Sequence, residues 1–180
     1  MTTNEQWIDG KFEETDTEYK ISDTNILWKN EEPILKKGVE LLCKKHKPKS
    51  VLEFGFGMGW TATEFQKQGV KRHVILEPNK ENYQMALEWK TKYDDSDIEI
   101  LNIFSWDFET EEKFDLVYDD RQQFLDKDNK KHYKQMDKIL KKEQLYTNCA
   151  VYISQKGTPQ PAIHFETNNK LCVQPLRIYK

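Results

Sequence analysis

Cysteine is scarce in this chain of 180 residues, and its three copies form no motif. Cys43, Cys149 and Cys172 include no C-x-x-C pair, and an odd number argues against a disulfide framework. We therefore expect a reducing compartment, the cytoplasm. The four histidines are also scattered, and none pairs with another metal ligand at a motif spacing, so no metal site is predicted.

Long apolar runs and a strong excess of one charge are missing too. No segment approaches membrane-spanning length and no apolar leader is visible, so neither membrane insertion nor secretion is predicted. Charged residues make up 33% of the chain, but the net charge of −3 gives no bulk attraction to nucleic acid. We expect a single domain over residues 1–180, with the polar residues 1–25 as a lid or a loose segment.

Glycine is rare overall but clustered in one place. Gly55, Gly57 and Gly59 stand at alternating positions directly after the mostly apolar run Ser50–Phe54. This pattern predicts a buried strand that breaks into a tight turn, with a helix starting near Trp60. Glycines in such a turn let the backbone approach a ligand closely.

A second predicted strand, residues 73–77, ends in the acid Glu77. Two parallel strands, a glycine turn and an acid at the second strand tip describe a nucleoside-binding half-sheet, in which that acid takes the ribose hydroxyls. A dinucleotide fingerprint needs glycine at the sixth position of the turn, where this chain has the bulky Trp60. Glu53 at the first strand tip is unfavourable for a pyrophosphate but suits the amino group of a sulfonium cofactor. The pattern favours S-adenosylmethionine over NAD.

Strands alternate with helices along the rest of the chain, which predicts a doubly wound, mostly parallel α/β sheet with a terminal antiparallel hairpin. Ligands in such sheets bind at the carboxyl ends of the strands. Helices are predicted from Pro33 to about Lys47, after Trp60, after the capping residue Asn79, and over 129–140. Strands are predicted over 50–54, 73–77, 97–104, 114–118 and 144–148, and hairpin arms over 162–166 and 170–179.

Taken in order, these motifs resemble the class I S-adenosylmethionine-dependent methyltransferases, and among them the guanidinoacetate N-methyltransferase and arginine N-methyltransferase group. Residues 51–58 are similar to that group's cofactor loop almost letter for letter. The resemblance implies S-adenosylmethionine as cofactor. The cofactor-binding residues it implies are Glu53, Gly55, Phe56, Gly57, Met58, Gly59, Glu77, Asn79, Phe104, Ser105 and Trp106.

Two further acids are similar to the group's acceptor site. Tyr118-Asp119 matches a Tyr-Asp pair whose Asp holds the guanidino group, and Glu31 resembles the Glu of a Glu-x-Pro motif that supplies a second substrate carboxylate. The resemblance thus implies that Asp119 and Glu31 are catalytic: they bind a cationic nitrogen nucleophile and help to remove its proton. Asp120, next in the chain, is expected to face solvent. The implied activity is N-methylation of a small guanidino or amine substrate.

The C-terminal half departs from this group. Only residues 149–161 separate the fifth predicted strand from the hairpin, which is too short for the helix that the group has there. Two alternatives therefore stay open: a non-catalytic cofactor-binding or structural protein with a degenerate methyltransferase fold, and a nucleic-acid methyltransferase. The second lacks the Asn/Asp-Pro-Pro-Tyr/Phe segment expected after the fourth strand. The sequence does not indicate an oligomeric state.

Overall fold

A six-stranded sheet forms the centre of the described structure. The computed structural model describes residues 4–22, 24–121, 126–140, 145–148, 152–153, 162–167, 170–175 and 177–178. The strands are β1 Phe12–Glu14, β2 Glu18–Ile21, β3 Thr24–Trp28, β4 Ser50–Phe54, β5 Arg72–Leu76, β6 Asp97–Leu101, β7 Leu116–Asp119, β8 Leu145–Asn148, β9 Tyr152–Ile153, β10 Ala162–Thr167, β11 Lys170–Pro175 and β12 Arg177–Ile178. The helices are α1 Asn4–Ile8, α2 Glu32–His46, α3 Trp60–Lys67, α4 Lys80–Lys90 and α5 Asp126–Ile139.

The strand order of the central sheet is β12-β8-β7-β4-β5-β6. Strands β6, β5, β4, β7 and β8 run parallel, and β12 joins β8 antiparallel. The chain moves outward from β4 in one direction and then returns to its other side at β7. This reversal is the switch point at which α/β sheets bind ligands, and the predicted doubly wound fold is confirmed.

Both faces of the central sheet are covered, as a parallel sheet requires. Because side chains alternate along a strand, Val51 of β4 packs on the α2 side with Leu42. Leu52 and Phe54 face the other way and pack with Met136 of α5. This alternation decides where the acids of the strands point.

The predicted hairpin forms but belongs to a different sheet. Strands β10 and β11 pair antiparallel from Ala162↔Pro175 to Thr167↔Lys170, and β9 adds to β11. Among the described residues of the predicted second arm, only those of β12 pair with the central sheet. Most of the segment 149–161 lies outside the described residues.

The third and fourth predicted strands have different bounds from those expected. β6 ends at Leu101, well before Phe104. Next in the chain, the Asn102 side chain donates to the carbonyl oxygens of Glu77 and Pro78 at 2.8 and 3.1 Å, which turns the chain across the tip of β5. β7 begins two residues later than predicted, because Phe114 packs in the cluster under α5 instead of pairing in the sheet.

The N-terminal residues are ordered where they are described. Helix α1 is followed by the antiparallel meander β1-β2-β3. Trp7 of α1 and Ile21 of β2 form a buried cluster with Phe104. Within the described ranges, no helix combines the length and the apolar character needed to cross a bilayer.

Candidate active site

A crevice opens at the carboxyl ends of β4 and β5. It consists of two adjoining cavities that share Trp7, Gly55 and Glu77. The first cavity is also lined by Phe54, Leu76, Pro78, Phe104, Ser105 and Arg121. The second is also lined by Ile26, Leu27, Gly57, Asn82 and Asp120.

The glycine turn forms one wall of the crevice. Gly55, Gly57 and Gly59 have φ of +89°, +53° and +66°, a backbone region that residues other than glycine rarely adopt. A Cβ on Gly55 would lie 3.0 Å from the carbonyl oxygen of Asp120, and one on Gly59 would lie 2.5 Å from the Phe56 ring. The turn therefore needs glycine for conformation and for space.

Phe56 and Met58 of the turn do not point their side chains into the crevice. The Phe56 ring is buried and packs on Trp89 at a centroid distance of 5.5 Å, so only its backbone reaches the site. Gly59 precedes the first residue of α3 and caps that helix in a left-handed conformation. Met58 is half-buried and lines neither cavity.

Glu77 is the buried acid of the crevice, with 3% of its surface exposed. Its carboxylate accepts hydrogen bonds from the backbone N–H of Phe56 at 2.9 Å and of Asn79 at 2.8 Å. Burial raises its pKa, while these bonds and further ones from Gly57 and the Asn82 side chain act against the rise. The carboxylate is thus held in place beside both cavities.

Asn82 is a site residue that the sequence reading missed. Its side chain is 1% exposed, donates to Glu77 and lines the second cavity. Its Oδ1 has no hydrogen-bond partner among the described residues. A buried acceptor left without a partner is costly, so a hydroxyl or amino group of a ligand fits beside it. The predicted cofactor carries both groups.

Asn79 ties the crevice to the N-terminal segment. Its Oδ1 accepts from the Asn82 N–H at 2.9 Å and so caps α4, as predicted. Its Nδ2 donates to the carbonyl oxygens of Trp7 and Gly10 at 2.7 and 2.8 Å. Since the side chain is fully buried and lines neither cavity, it holds α1 over the crevice instead of reaching into it.

The predicted cofactor-binding segment 104–106 reaches the first cavity with two of its three residues. Phe104 and Ser105 line that cavity, whereas Trp106 stacks on Phe104 at a centroid distance of 4.4 Å, behind it. The Ser105 hydroxyl lies 2.7 Å from Nδ1 of the buried His132. Trp106 therefore supports the part of the cavity wall that Phe104 forms.

Glu53 does not lie where the sequence reading expected it. It is fully buried, and its carboxylate contacts the Thr61 hydroxyl at 2.5 Å and His73 Nε2 at 2.8 Å. It shares the α2 and α3 face of β4 with Val51, because side chains alternate along the strand. This placement favours a supporting role, which ties the strand to α3, over direct contact with the cofactor.

Asp119 ends β7 but turns away from both cavities. It is 3% exposed, and its carboxylate lies 3.3 Å from Arg121 Nε, 3.2 Å from His132 Nε2 and 2.8 Å from the Tyr146 hydroxyl. Burial alone would raise the pKa of Asp119, but the contact with His132 and the charge of Arg121 outweigh it, so the pKa lies below its ordinary value. The neighbouring acid Asp120, which was expected to face solvent, does line the second cavity.

Glu31 is engaged at the start of α2. Its Oε2 accepts from the Trp28 backbone N–H at 2.9 Å, and it lines neither cavity. The structure therefore does not bring Glu31 and Asp119 together at the crevice. Among the described residues, no group of three histidines, cysteines or acids is placed to hold a metal ion.

The model of the family described as guanidinoacetate N-methyltransferase matches residues 2–152 of the chain. The chain belongs to this family. It is an S-adenosylmethionine-dependent methyltransferase, which confirms the class and the cofactor predicted from the sequence. The match includes the N-terminal segment over the crevice as well as the central sheet.

Solved methyltransferase structures share the fold of this family member at low identity. The N-methyltransferase NodS from Bradyrhizobium japonicum is 11% identical, with a TM-score of 0.61. The match covers 83% of this chain and 97% of the NodS chain. A Podospora anserina methyltransferase with bound S-adenosylhomocysteine is 14% identical, with 80% and 78% coverage and a TM-score of 0.55. The 1,6-didemethyltoxoflavin-N1-methyltransferase from Burkholderia thailandensis is 12% identical, with 81% and 63% coverage and a TM-score of 0.54.

Nine residues that line the two cavities were absent from the predicted site: Trp7, Ile26, Leu27, Phe54, Leu76, Pro78, Asn82, Asp120 and Arg121. Asn82 carried a usable signal, because it lies one helical turn beyond the capping Asn79, on the same face of α4 as the site. No signal in the sequence pointed to Trp7, because its position depends on contacts with residues about 70 positions away along the chain, such as Asn79.

Proposed function

We propose that this methyltransferase transfers a methyl group from S-adenosylmethionine to a nitrogen atom of a small guanidino or amine substrate, and that the crevice is its active site. The observation that carries the proposal is the buried Glu77 carboxylate, held by backbone N–H groups beside a turn that needs glycine. A fixed carboxylate next to closely approaching backbone is what recognition of a ribose requires.

The residues of the crevice would take three roles toward the cofactor. Glu77 would accept hydrogen bonds from the ribose hydroxyls, and the backbone of Gly55 and Gly57 would contact the rest of the nucleoside and its tail. Phe104 and Ser105 would form the wall beside the adenine. When bound, S-adenosylmethionine supplies the activated methyl group.

The protein's own task in methyl transfer is to align the acceptor nitrogen, exclude water and receive a proton. Trp7 lines both cavities and is 6% exposed, so its ring would help to keep water from the acceptor. Asp119 has a lowered pKa and is a weak proton acceptor. Because it lines neither cavity and is paired with Arg121, its proposed action on a cationic acceptor requires Arg121 to move aside first. Glu31 completes the proposed acceptor site only after releasing the Trp28 N–H.

The proposal is tested with purified protein, S-adenosylmethionine and a panel of small amines, guanidines, neutral alcohols and an oligonucleotide. We expect S-adenosylhomocysteine to accumulate with some of the nitrogen compounds, and mass spectrometry to find one added methyl group on those acceptors. Methylation of alcohols but not of nitrogen compounds would contradict the proposed acceptor class. Methylation of an oligonucleotide alone would favour the nucleic-acid alternative.

A further inference from the structure

A buried amide at the wall of the crevice carries a hydrogen-bond acceptor that the described residues leave unused. Asn82 lies in the first turn of α4, is 1% exposed and lines the second cavity. Its Oδ1 has no hydrogen-bond partner among those residues. Because a buried acceptor without a partner costs free energy, a ligand that brings a donor to this oxygen gains affinity.

The orientation of the Asn82 amide is set by Glu77. The amide donates to the Glu77 carboxylate, so Nδ2 is the end that faces the acid. The reverse orientation would set Oδ1 against the carboxylate, and two acceptors would face each other without a proton between them. The unused end of the amide therefore accepts a hydrogen bond, and it belongs to the same small group as the atom that contacts Glu77.

Glu77 itself has little capacity left for a ligand. Its carboxylate accepts hydrogen bonds from the Asn82 side chain and from the backbone N–H groups of Phe56 at 2.9 Å, Asn79 at 2.8 Å and Gly57. A carboxylate offers about four lone-pair sites in all. Two ribose hydroxyls that both bound Glu77 would therefore compete with the protein's own donors.

The position of Asn82 suits a pair of neighbouring hydroxyls. A ribose carries two hydroxyls on adjacent carbon atoms, so one of them can reach Glu77 while the other reaches an acceptor beside it. The amino group in the cofactor tail is a cation and is bound more strongly by a carboxylate, such as that of Asp120, which lines the same cavity. The neutral Asn82 amide is therefore better matched to a hydroxyl.

We propose that Asn82 is a specificity-determining residue for the cofactor: its Oδ1 accepts a hydrogen bond from one ribose hydroxyl, while Glu77 accepts one from the other. Asn82 thus makes the site select a ribose over a sugar that lacks that hydroxyl. It is not among the residues that carry the chain's family resemblance. This inference rests on the proposed function and refines its ribose contacts.

Titration calorimetry with S-adenosylhomocysteine and its 2′-deoxy and 3′-deoxy analogues tests the inference in the wild type. We expect each analogue to bind at least about fivefold more weakly than S-adenosylhomocysteine, because each hydroxyl has an acceptor of its own. An analogue that binds as tightly as S-adenosylhomocysteine would overturn the inference, since the missing hydroxyl would then have no acceptor in the site.

Asn82→Ala separates the two hydroxyls. Alanine keeps the helix propensity of α4, and the measured quantity is the ratio of each analogue's Kd to that of S-adenosylhomocysteine. This ratio should fall to about one for a single analogue and keep its wild-type value for the other, whose remaining contacts include no Asn82. A purely structural role would weaken all three ligands by one factor and leave both ratios unchanged. Two unchanged ratios, or the loss of both, would overturn the inference.

Asn102→Ala is the matched control. Asn102 is also an asparagine that contacts Glu77, but its amide donates to the main-chain carbonyl oxygen at 2.8 Å, and it lines neither cavity. Both Kd ratios should therefore stay at their wild-type values. A ratio that falls in Asn102→Ala as it does in Asn82→Ala would mean that the Asn82 effect reaches the ribose through Glu77, and would overturn the inference.

These titrations need no methyl acceptor, so they separate the inference from the proposed reaction. A protein that methylates no nitrogen compound but shows the expected Kd ratios would contradict the proposed reaction and support the role of Asn82. A wild-type protein that binds no S-adenosylhomocysteine would overturn the inference together with the proposed cofactor site.

Discussion

Acids near the strand tips differ in their tasks because packing gives each carboxylate a different neighbour. Glu53 points to the α3 side of the sheet and binds Thr61 and His73. Glu77 stands one residue beyond β5 and faces the crevice. Asp119 points to the α5 side, where Arg121 and other partners meet it. The position of each acid along its strand therefore decides its neighbours: Glu53 is level with Ile75, two positions before Glu77, and Asp119 is level with Phe54, on the opposite face of the sheet from Glu53.

Glu77→Ala should weaken S-adenosylhomocysteine binding by about 2–4 kcal/mol, because charge-assisted hydrogen bonds to the ribose are lost in a buried site. The N–H groups of Phe56 and Asn79 would also lose their acceptor, so some loss of folding stability should accompany it. Glu88→Ala, an exposed change on α4, is the control. Titration calorimetry that finds wild-type affinity in folded Glu77→Ala would remove Glu77 from the cofactor site.

Asp119→Asn should destabilise the fold by about 3–5 kcal/mol at pH 7, because it leaves the buried Arg121 unpaired. The pKa of Asp119 is lowered on folding, so its stabilising effect is present above about pH 3.8, the ordinary aspartate value, and is lost as the pH falls through the folded value. The gap between wild type and variant should therefore narrow below about pH 4. Urea unfolding between pH 7 and pH 3 measures it, and a constant gap would contradict the assignment.

At the scale of elements, the sequence predicted the features that depend on local signals, and it missed those that depend on contacts distant along the chain. β4 has the predicted bounds because an apolar run meets a glycine turn, and Asn79 caps α4 because Asn at that position accepts the first free N–H groups. The separate β9-β10-β11 sheet and the end of β6 at Leu101 depend on which strands meet in space. No local pattern in the sequence encodes that choice.

Gly55→Ala should destabilise the protein more than Gly69→Ala. Both glycines have strongly positive φ, +89° and +82°, so each alanine carries a strain of about 1–2 kcal/mol. At Gly69 a Cβ meets nothing within 4 Å, whereas at Gly55 it meets the carbonyl oxygen of Asp120 at 3.0 Å. Gly55→Ala should therefore also lose cofactor affinity, and Gly69→Ala should keep it. Equal unfolding free energies and equal affinities would argue against a turn built on close approach.

Asn79→Ala and Asn79→Asp should separate two functions of one side chain. Alanine removes both the cap of α4 and the bonds to α1, and a lost cap alone costs about 1 kcal/mol. Aspartate keeps the capping acceptor but has no N–H for Trp7 and Gly10. We expect hydrogen exchange to speed up in residues 4–21 in both variants, and in α4 only in the alanine variant. Unchanged exchange in 4–21 would mean that Asn79 does not hold the N-terminal segment.

For the whole molecule, the N-terminal segment and the sheet close one crevice between them. Lys80 pairs with Asp9 at 2.6 Å, and Glu81 accepts from the Phe12 N–H at 2.6 Å. These contacts, with those of Asn79, fasten α1 and β1 to the start of α4. The sequence predicted the sheet edge but left residues 1–25 as a lid or a loose segment, because anchors such as Trp7 acquire a partner only in the folded chain.

A ligand that bridges these parts should stabilise all of them together. S-adenosylhomocysteine at 100 times its Kd adds about 2.7 kcal/mol, which corresponds to a rise in Tm of roughly 5–10 °C for a chain of this size. NAD should give no rise, because the position where a dinucleotide fold needs glycine holds Trp60, whose ring lies 5.8 Å from that of Tyr19 in the N-terminal sheet. Thermal unfolding with each ligand measures the difference, and Glu77→Ala should abolish most of the rise at the same ligand concentration. A rise with NAD and none with S-adenosylhomocysteine would mean that the turn binds a pyrophosphate.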